Sequence, residues 1–209
     1  MSSSSKSMLD TIIRALVGVE PAYHGLILDI ANRLGGQDAQ SIRTRLAQAL
    51  REPSVPTPLP AYLVNIASVT LAPTKGGVTI SEANYVFSGY IDSNFKSWGT
   101  NVTGTDTVAQ AVSVHEMSRD GTFAQHFNSL GDPRSLCLTQ GQIVEFCRTY
   151  RDQLRQDGCS TFFLFEVKDK LFVALVLVHA GKLSVSVRRF GNNLVWLADG
   201  HYRLVVQQQ

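Results

Sequence analysis

The sequence predicts an α+β protein, and three features carry that prediction. Five β-rich runs separated by short turn signals fill Thr161 to Val206. A well-marked helix precedes these runs, and four prolines lie close together within residues 52–60. The chain therefore divides into an N-terminal helical unit (1–51), a Pro-rich spacer (52–60) and an α+β body (61–209).

The β-rich runs are expected to form an antiparallel β-meander, which with its packed helix covers residues 139–207. Only two polar residues separate the first two runs, Phe162 to Lys168 and Leu171 to His179, which favours a tight hairpin. The second of these runs is apolar on both faces, as expected of a central strand. Short loops place neighbouring strands antiparallel, so the final run, Tyr202 to Val206, is predicted to lie at the edge of the sheet.

The helix that precedes the meander carries a start signal and a stop signal. Thr139 and Gln142 have the spacing of a capping box, and Gly158 can take the positive φ that ends a helix. The apolar face between them has helical spacing and consists of Ile143, Phe146, Cys147, Tyr150 and Leu154.

Upstream of that helix the signals are shorter. Three amphipathic patterns, the second of them ended by Gly35-Gly36, predict the helical unit. In the body, the predicted elements are strands over Tyr62 to Leu71, Val78 to Ile80, Tyr85 to Ile91 and Val108 to Met117, and a short helix over Thr122 to Ser129.

The bulk composition is that of a globular protein. Hydrophobic residues make up 44% and charged residues 17%, and the net charge of +2 is too small to indicate a nucleic-acid partner. No apolar run approaches the ~20 residues of a spanning helix. We therefore expect a cytoplasmic protein without a membrane partner, in which the three cysteines stay reduced. The sequence holds no recognised metal or cofactor motif.

Three segments resemble a known group of proteins. They are Ile30 to Gly36, Tyr90 to Trp98, and the stretch that begins with Phe163-Leu164-Phe165 and runs through Ser184 to Phe190. These segments are similar to small multi-copy proteins of uncultured candidate-phylum bacteria, a group with no assigned activity or cofactor. The resemblance implies the same architecture and a bacterial cytosolic setting, and it transfers no catalytic residue.

The segment with the strongest recognition signal lies within Tyr90 to Trp98. This segment combines two aromatic side chains with a cation, and exposed aromatics beside a cation anchor many protein interfaces. The candidate partner-binding residues are Asn94, Phe95, Lys96 and Trp98. The alternative is that Phe95 and Trp98, three residues apart, fill the core beside the sheet. The leading functional prediction is a non-enzymatic binding or assembly module that binds a protein partner or self-associates through the final strand or this aromatic run.

Two alternatives belong to other functional classes. Residues 30–50 have the outline of a helix-turn-helix, in which Ser41, Arg43, Thr44 and Arg45 would face DNA, although the unit has little basic excess. A Cys-dependent hydrolase would need a cysteine within hydrogen-bond reach of a histidine. None of the three cysteines carries a recognised catalytic signature, so the sequence assigns no catalytic residue.

Overall fold

The structure is a computed structural model that describes residues 61–208. The predicted helical unit, the spacer and the candidate DNA contacts at residues 41–45 lie outside the described residues. The body is α+β, as the sequence predicts, and is built on one mixed seven-stranded sheet. Its strands are β1 (Leu63–Leu71), β2 (Tyr90–Ile91), β3 (Gln110–Met117), β4 (Ser160–Val167), β5 (Lys170–His179), β6 (Lys182–Arg189) and β7 (Arg203–Gln207).

The strand order across the sheet is β1-β3-β7-β4-β5-β6-β2. Two of the pairings, β4 with β7 and β2 with β6, are parallel, and the other four are antiparallel. Strand order therefore departs from chain order at both ends of the sheet.

The three strands β4, β5 and β6 form the predicted meander. The turn between β4 and β5 uses Lys168 and Asp169 at φ 50° and 60°, and the next turn uses Ala180 and Gly181 at φ 47° and 71°. Two consecutive residues at positive φ match the right-handed twist of a tight hairpin. Strand β5, apolar on both faces, lies between β4 and β6 and is buried along most of its length.

The rest of the meander prediction is wrong. The fourth of the five predicted runs, between the turn signals at residues 191–193 and 199–200, contributes only an isolated bridge between Trp196 and Gly121. In this run Leu194, Val195 and Leu197 are exposed. The final strand β7 is not at the edge of the sheet, because it lies between β3 and β4 and pairs with both. A thirteen-residue connection from 190 to 202 gives β7 the reach to return to the middle of the sheet.

Each face of the sheet carries a hydrophobic core. The larger core includes Phe95, Phe146 and Phe163, and the smaller includes Phe123 and Phe162. Both cores extend across the central strands, whose buried side chains alternate between the two faces.

Three α-helices pack on these cores: α1 (Asn94–Ser97), α2 (Phe123–Asn128) and α3 (Gln140–Thr149). The predicted capping box of α3 is present, because Thr139 Oγ1 accepts from the backbone N–H of Gln142 at 3.2 Å and Gln142 Oε1 accepts from that of Thr139 at 2.9 Å. Helix α3 ends before the predicted stop at Gly158. A 3₁₀ turn follows it at Arg151–Gln153.

Two short elements upstream differ from their predictions. The expected strand at Val78 to Ile80 is replaced by a 3₁₀ turn at Ile80–Glu82, and the expected strand at Tyr85 to Ile91 is reduced to β2. The chain forms turns here instead, because the backbone N–H groups of Val86 and Phe87 both donate to the carbonyl oxygen of Ala83 at 2.9 Å. None of the helices among residues 61–208 has the length and apolar character to cross a bilayer.

Candidate functional site

Helix α1 divides the predicted recognition segment between core and surface. The Phe95 side chain is fully buried and stacks on Phe165 with ring centroids 6.3 Å apart. Trp98, at the C-terminal end of α1, is half-buried, as is Asn94, while Lys96 is exposed. Phe95 therefore anchors the segment, and Trp98 is the aromatic that it presents.

Trp98 borders an open groove of about 610 Å³ at one end of the sheet. This volume lies within the range of natural ligand sites, roughly 300–1,000 Å³. The groove, called the Trp98 groove below, is lined by Trp98, Arg134, Asp169, Lys170, Leu171, Phe172, Arg188, Arg189, Phe190, Gly191 and Asn192.

Two further segments contribute to the lining of the groove. The β4–β5 turn places Asp169 and Lys170 at the rim. Arg134 is tied to this turn, since its guanidinium forms an ion pair with Glu166 and donates to the backbone carbonyl of Asp169 at 3.1 Å. Arg134 also follows Asp132, whose side chain caps the 3₁₀ turn Pro133–Leu136. Its position is thus fixed from both ends.

The buried carboxylate of Asp92 joins α1 to β6 behind the groove. Its Oδ1 accepts from the backbone N–H of Asn94 at 2.9 Å, and its Oδ2 accepts from that of Val187 at 3.4 Å. The same Oδ2 lies 3.7 Å from Nη1 of Arg188. One carboxylate thus positions the helix that presents Trp98 and the strand that presents the arginines.

Arg189 covers one side of the Trp98 ring. Its Cζ lies 5.2 Å from the ring centroid, within the range of a cation–π contact. This contact holds the two side chains together, and among residues 61–208 the Arg189 guanidinium forms no hydrogen bond, so its N–H groups can donate to a ligand. Among residues 61–208, no carboxylate lies within ion-pairing distance of Arg189 or Lys170.

The lining is cationic as well as apolar. The lining contains four cationic side chains and one carboxylate, that of Asp169. Among residues 61–208, Arg134 and Arg188 are the only ones of the four cations that pair with carboxylates, those of Glu166 and Asp92. Leu171, Phe172 and Phe190 supply the apolar part. A groove of this kind suits a ligand that combines negative charge with an apolar group.

Sequence reasoning found Trp98 but missed the four cations. They belong to three separate local settings: Arg134 to the 3₁₀ turn, Lys170 to the start of β5, and Arg188 with Arg189 to the end of β6. The one available signal was Arg188-Arg189, a pair of charges that closes an otherwise apolar alternating strand.

The three cysteines lie outside the groove lining and are unpaired. Burial raises the pKa of the Cys137 thiol to about 12, with a smaller contribution from Glu166, and burial also raises the pKa of Cys147. A nucleophilic thiolate needs the opposite shift. Among the described residues, no group of three or more His, Cys, Asp or Glu side chains is arranged to hold a metal ion.

Comparison with known proteins adds no functional assignment. No protein-family model, curated protein or solved structure was found to match the chain.

Proposed function

We propose that this chain is a non-enzymatic binding module whose Trp98 groove takes an acidic segment of a protein partner. The observation that carries the proposal is the placement of Trp98 beside Arg189 and Lys170, two cations without carboxylate partners among residues 61–208. Aromatic and arginine side chains together are the commonest energetic anchors of protein interfaces.

The apolar part of the lining favours a peptide over an inorganic anion. Leu171, Phe172 and Phe190 offer contact to an aliphatic or aromatic side chain, while Asp or Glu residues on either side of it would reach the cations. A small anion would use the charges and leave the apolar part of the groove unoccupied. A protein segment with alternating acidic and apolar residues uses both.

Binding should depend more on Lys170 and Arg189, which have no carboxylate partner among residues 61–208, than on Arg134 and Arg188, which do. Arg134 and Arg188 already interact with Glu166 and Asp92, so a ligand carboxylate gains less there. Lys170 and Arg189 have no carboxylate partner among residues 61–208, so there a ligand carboxylate displaces water rather than an existing ion pair. Since these charges are exposed, the affinity should fall as salt rises above physiological ionic strength.

The test uses intrinsic fluorescence with a single tryptophan in the full chain. The sequence contains two tryptophans, so Trp196→Phe leaves Trp98 as the sole reporter. The probe is a synthetic peptide with alternating Glu and Leu, and its Gln–Leu counterpart is the uncharged control. The proposal expects saturable fluorescence change with the acidic peptide, and affinity lowered roughly tenfold or more by Arg189→Ala with Lys170→Ala.

A matched control is available elsewhere on the body. Arg119 lies over the Tyr62 ring with its Cζ 4.5 Å from the centroid, a comparable cation–π pair away from the groove. Arg119→Ala should leave the peptide affinity unchanged. Equal loss in both variants, or equal binding of the Gln–Leu peptide, would rule out the groove as an acidic-segment site. Competition by a single-stranded oligonucleotide stronger than by the acidic peptide would assign the groove to nucleic acid instead.

A further inference from the structure

Three apolar side chains are exposed on the connection between β6 and β7, in a stretch called the 194–197 segment below. Leu194 is 51%, Val195 is 51% and Leu197 is 54% exposed. Residues 191–198 carry no charged side chain, so no charge within this stretch opposes an apolar contact. Contiguous exposed apolar side chains of this kind mark interaction sites.

Both ends of the 194–197 segment are fixed to the body. At its start, the backbone N–H of Leu194 donates to Oδ1 of Asn192 at 2.9 Å. Near its end, Trp196 exchanges two backbone hydrogen bonds with Gly121, at 2.8 and 3.1 Å, and its side chain packs on the smaller core. The segment is therefore a preformed surface, and a ligand need not order it.

The bridge between Trp196 and Gly121 also decides where the neighbouring groups point. When two residues exchange both hydrogen bonds, the N–H and C=O groups of the flanking residues point away from the partner strand. The flanking side chains lie on the face opposite to that of the bridge residue. Val195 and Leu197 therefore point their side chains away from the core, and among residues 61–208 neither of their backbone N–H groups donates a hydrogen bond.

The 194–197 segment continues directly from the Trp98 groove. Gly191 and Asn192 line the groove, and Asn192 is also the residue that accepts from the backbone of Leu194. Val195 lies three residues beyond Asn192, which is on the order of 10 Å of extended chain at ~3.4 Å per residue. A peptide bound in the groove thus needs only about three or four further residues to reach the segment.

We infer that the acidic segment bound in the Trp98 groove continues as an extended chain along residues 194–197. It pairs with the open backbone of Val195 and Leu197 and covers the exposed side chains with apolar residues of its own. The inference rests on the proposed function of the groove, and it adds that the partner is extended and carries uncharged apolar residues next to its acidic ones. In this mode of recognition the main-chain hydrogen bonds supply affinity and the alternate side chains supply specificity.

Charge favours this occupant over a second copy of the chain. Two copies that met through their 194–197 segments would bring the Lys170 and Arg189 side chains of both grooves close together. Like charges brought together at an interface oppose binding. An acidic segment is attracted by the same cations, so the groove and the segment favour one ligand.

Fluorescence anisotropy of labelled peptides with the unmodified full chain provides the first measurement. The parent peptide alternates Glu and Leu, and two longer peptides add alternating Val and Thr at its N-terminal or its C-terminal end. One longer peptide should bind about tenfold or more tightly than the parent. Val195→Asn with Leu197→Asn adds no charge, so it should cancel this gain and leave the parent affinity unchanged. The matched control is Val102→Asn with Val108→Asn, two exposed apolar positions elsewhere that should affect neither peptide.

Hydrogen exchange gives a readout that side-chain contact alone would not change. The backbone amides of Val195 and Leu197 should exchange rapidly in the free chain and in the complex with the parent peptide. In the complex with the tighter longer peptide, their exchange should slow about tenfold or more because they then donate to the ligand. Unchanged exchange at both residues in that complex would overturn the inference.

The outcomes separate the inference from the proposal on which it rests. If the parent peptide does not bind, the acidic-segment proposal fails and the inference fails with it. If the parent binds but neither longer peptide gains affinity, or the gain survives in the Val195→Asn, Leu197→Asn variant, the groove keeps its function and the inference is overturned. Binding to phosphatidylserine vesicles, or a dimer in sedimentation velocity, that this variant abolishes would assign the segment to a lipid surface or to a second copy and would also overturn the inference.

Discussion

Val205 on the last strand pairs with Phe163 on β4 in a parallel ladder, while its other side pairs with Val114 on β3. The C-terminal strand therefore joins two halves of the sheet that are otherwise separate: β1 with β3, and β4 to β6 with β2. The sheet is complete only when the last strand has been added.

The first prediction concerns Val205→Pro. Proline removes a backbone N–H and is excluded from central strands, and Val205 is fully buried between its two neighbours. We expect the free energy of unfolding to fall by about 3 kcal/mol or more, with loss of the cooperative urea transition. The control is Val108→Pro, because Val108 is 77% exposed and lies outside the strands. A Val205→Pro protein as stable as this control would contradict the central placement.

The position of β7 shows what sequence reasoning could and could not reach. The hairpins from β4 to β6 and the capping box at Thr139 are local features, so a few adjacent residues were enough to predict them. An edge strand and a central strand such as β7 can have the same alternation, and the difference lies in partners far away along the chain. The turn-forming residues that follow β6 belong to the long connection between β6 and β7, not to a hairpin.

In the candidate site, too, the residues within one local segment could be predicted and those brought together by tertiary packing could not. Trp98 could be found because it lies three residues from Phe95 in one aromatic segment. Sequence could not decide which of the two is buried, since that depends on Phe165 lying opposite Phe95. Arg134 and Lys170 reach the groove through tertiary packing alone, and no local pattern links them to Trp98.

A second prediction concerns the carboxylate behind the groove. Asp92→Ala leaves the buried backbone N–H of Val187 and the partly buried backbone N–H of Asn94 without their acceptor. The cost should be about 1–3 kcal/mol for each donor, measured as the free energy of unfolding in urea. In the Trp196→Phe background, Trp98 emission should also shift to longer wavelength as α1 loosens.

The matched variant for Asp92 is Asp106→Ala. Asp106 also accepts from a backbone N–H, that of Gly76 at 2.9 Å, but its side chain is 64% exposed, so water can replace it. We expect a clearly smaller loss of unfolding free energy for this variant than for Asp92→Ala. Similar losses for the two variants would mean that burial of Asp92 contributes nothing beyond its hydrogen bonds.

A third prediction concerns thiol reactivity in the native protein. At pH 8 a thiol with a pKa of about 12 has a thiolate fraction on the order of 10⁻⁴, so Cys137 should react slowly with a disulfide reagent. Cys147 is 1% exposed and its pKa is also raised, so it should be protected further. We expect one fast thiol, Cys159, in the folded chain and three after unfolding in guanidinium chloride.

The control for this labelling is Cys159→Ser, which should have no fast thiol when folded. Rapid modification of Cys137 or Cys147 in that variant would contradict the effect of burial on their pKa values. It would also give the hydrolase alternative the activated cysteine that it requires.

The last prediction is a pH dependence of stability that arises from His126. This side chain is fully buried in α2, and its ring lies edge-on to Tyr62 with centroids 5.5 Å apart. Neither ring nitrogen has a well-formed hydrogen bond among residues 61–208. Burial lowers the pKa of His126 below its usual value of about 6.5, against smaller opposing effects of the Gly121 backbone and the Asp120 carboxylate.

The sign follows from which state binds the proton first. Well above pH 6.5 His126 is neutral in both the folded and the unfolded chain, and it contributes no pH dependence. As the pH falls below 6.5, the unfolded chain takes up the proton first, so the free energy of unfolding decreases by up to about 1.4 kcal/mol per pH unit. Burial lowers the pKa of His115 too, which adds a slope of the same sign.

Urea unfolding at pH 7.5, 6.5 and 5.5 measures this slope. Carboxylates with ordinary or lowered pKa values stay ionised in this window, so the histidines dominate it. His126→Gln should flatten the decrease between pH 6.5 and 5.5, whatever its effect on stability at pH 7.5. His179→Gln, at the exposed end of β5, should leave the slope unchanged. A slope in His126→Gln equal to that of the unmodified chain would show that protonation of His126 does not oppose folding.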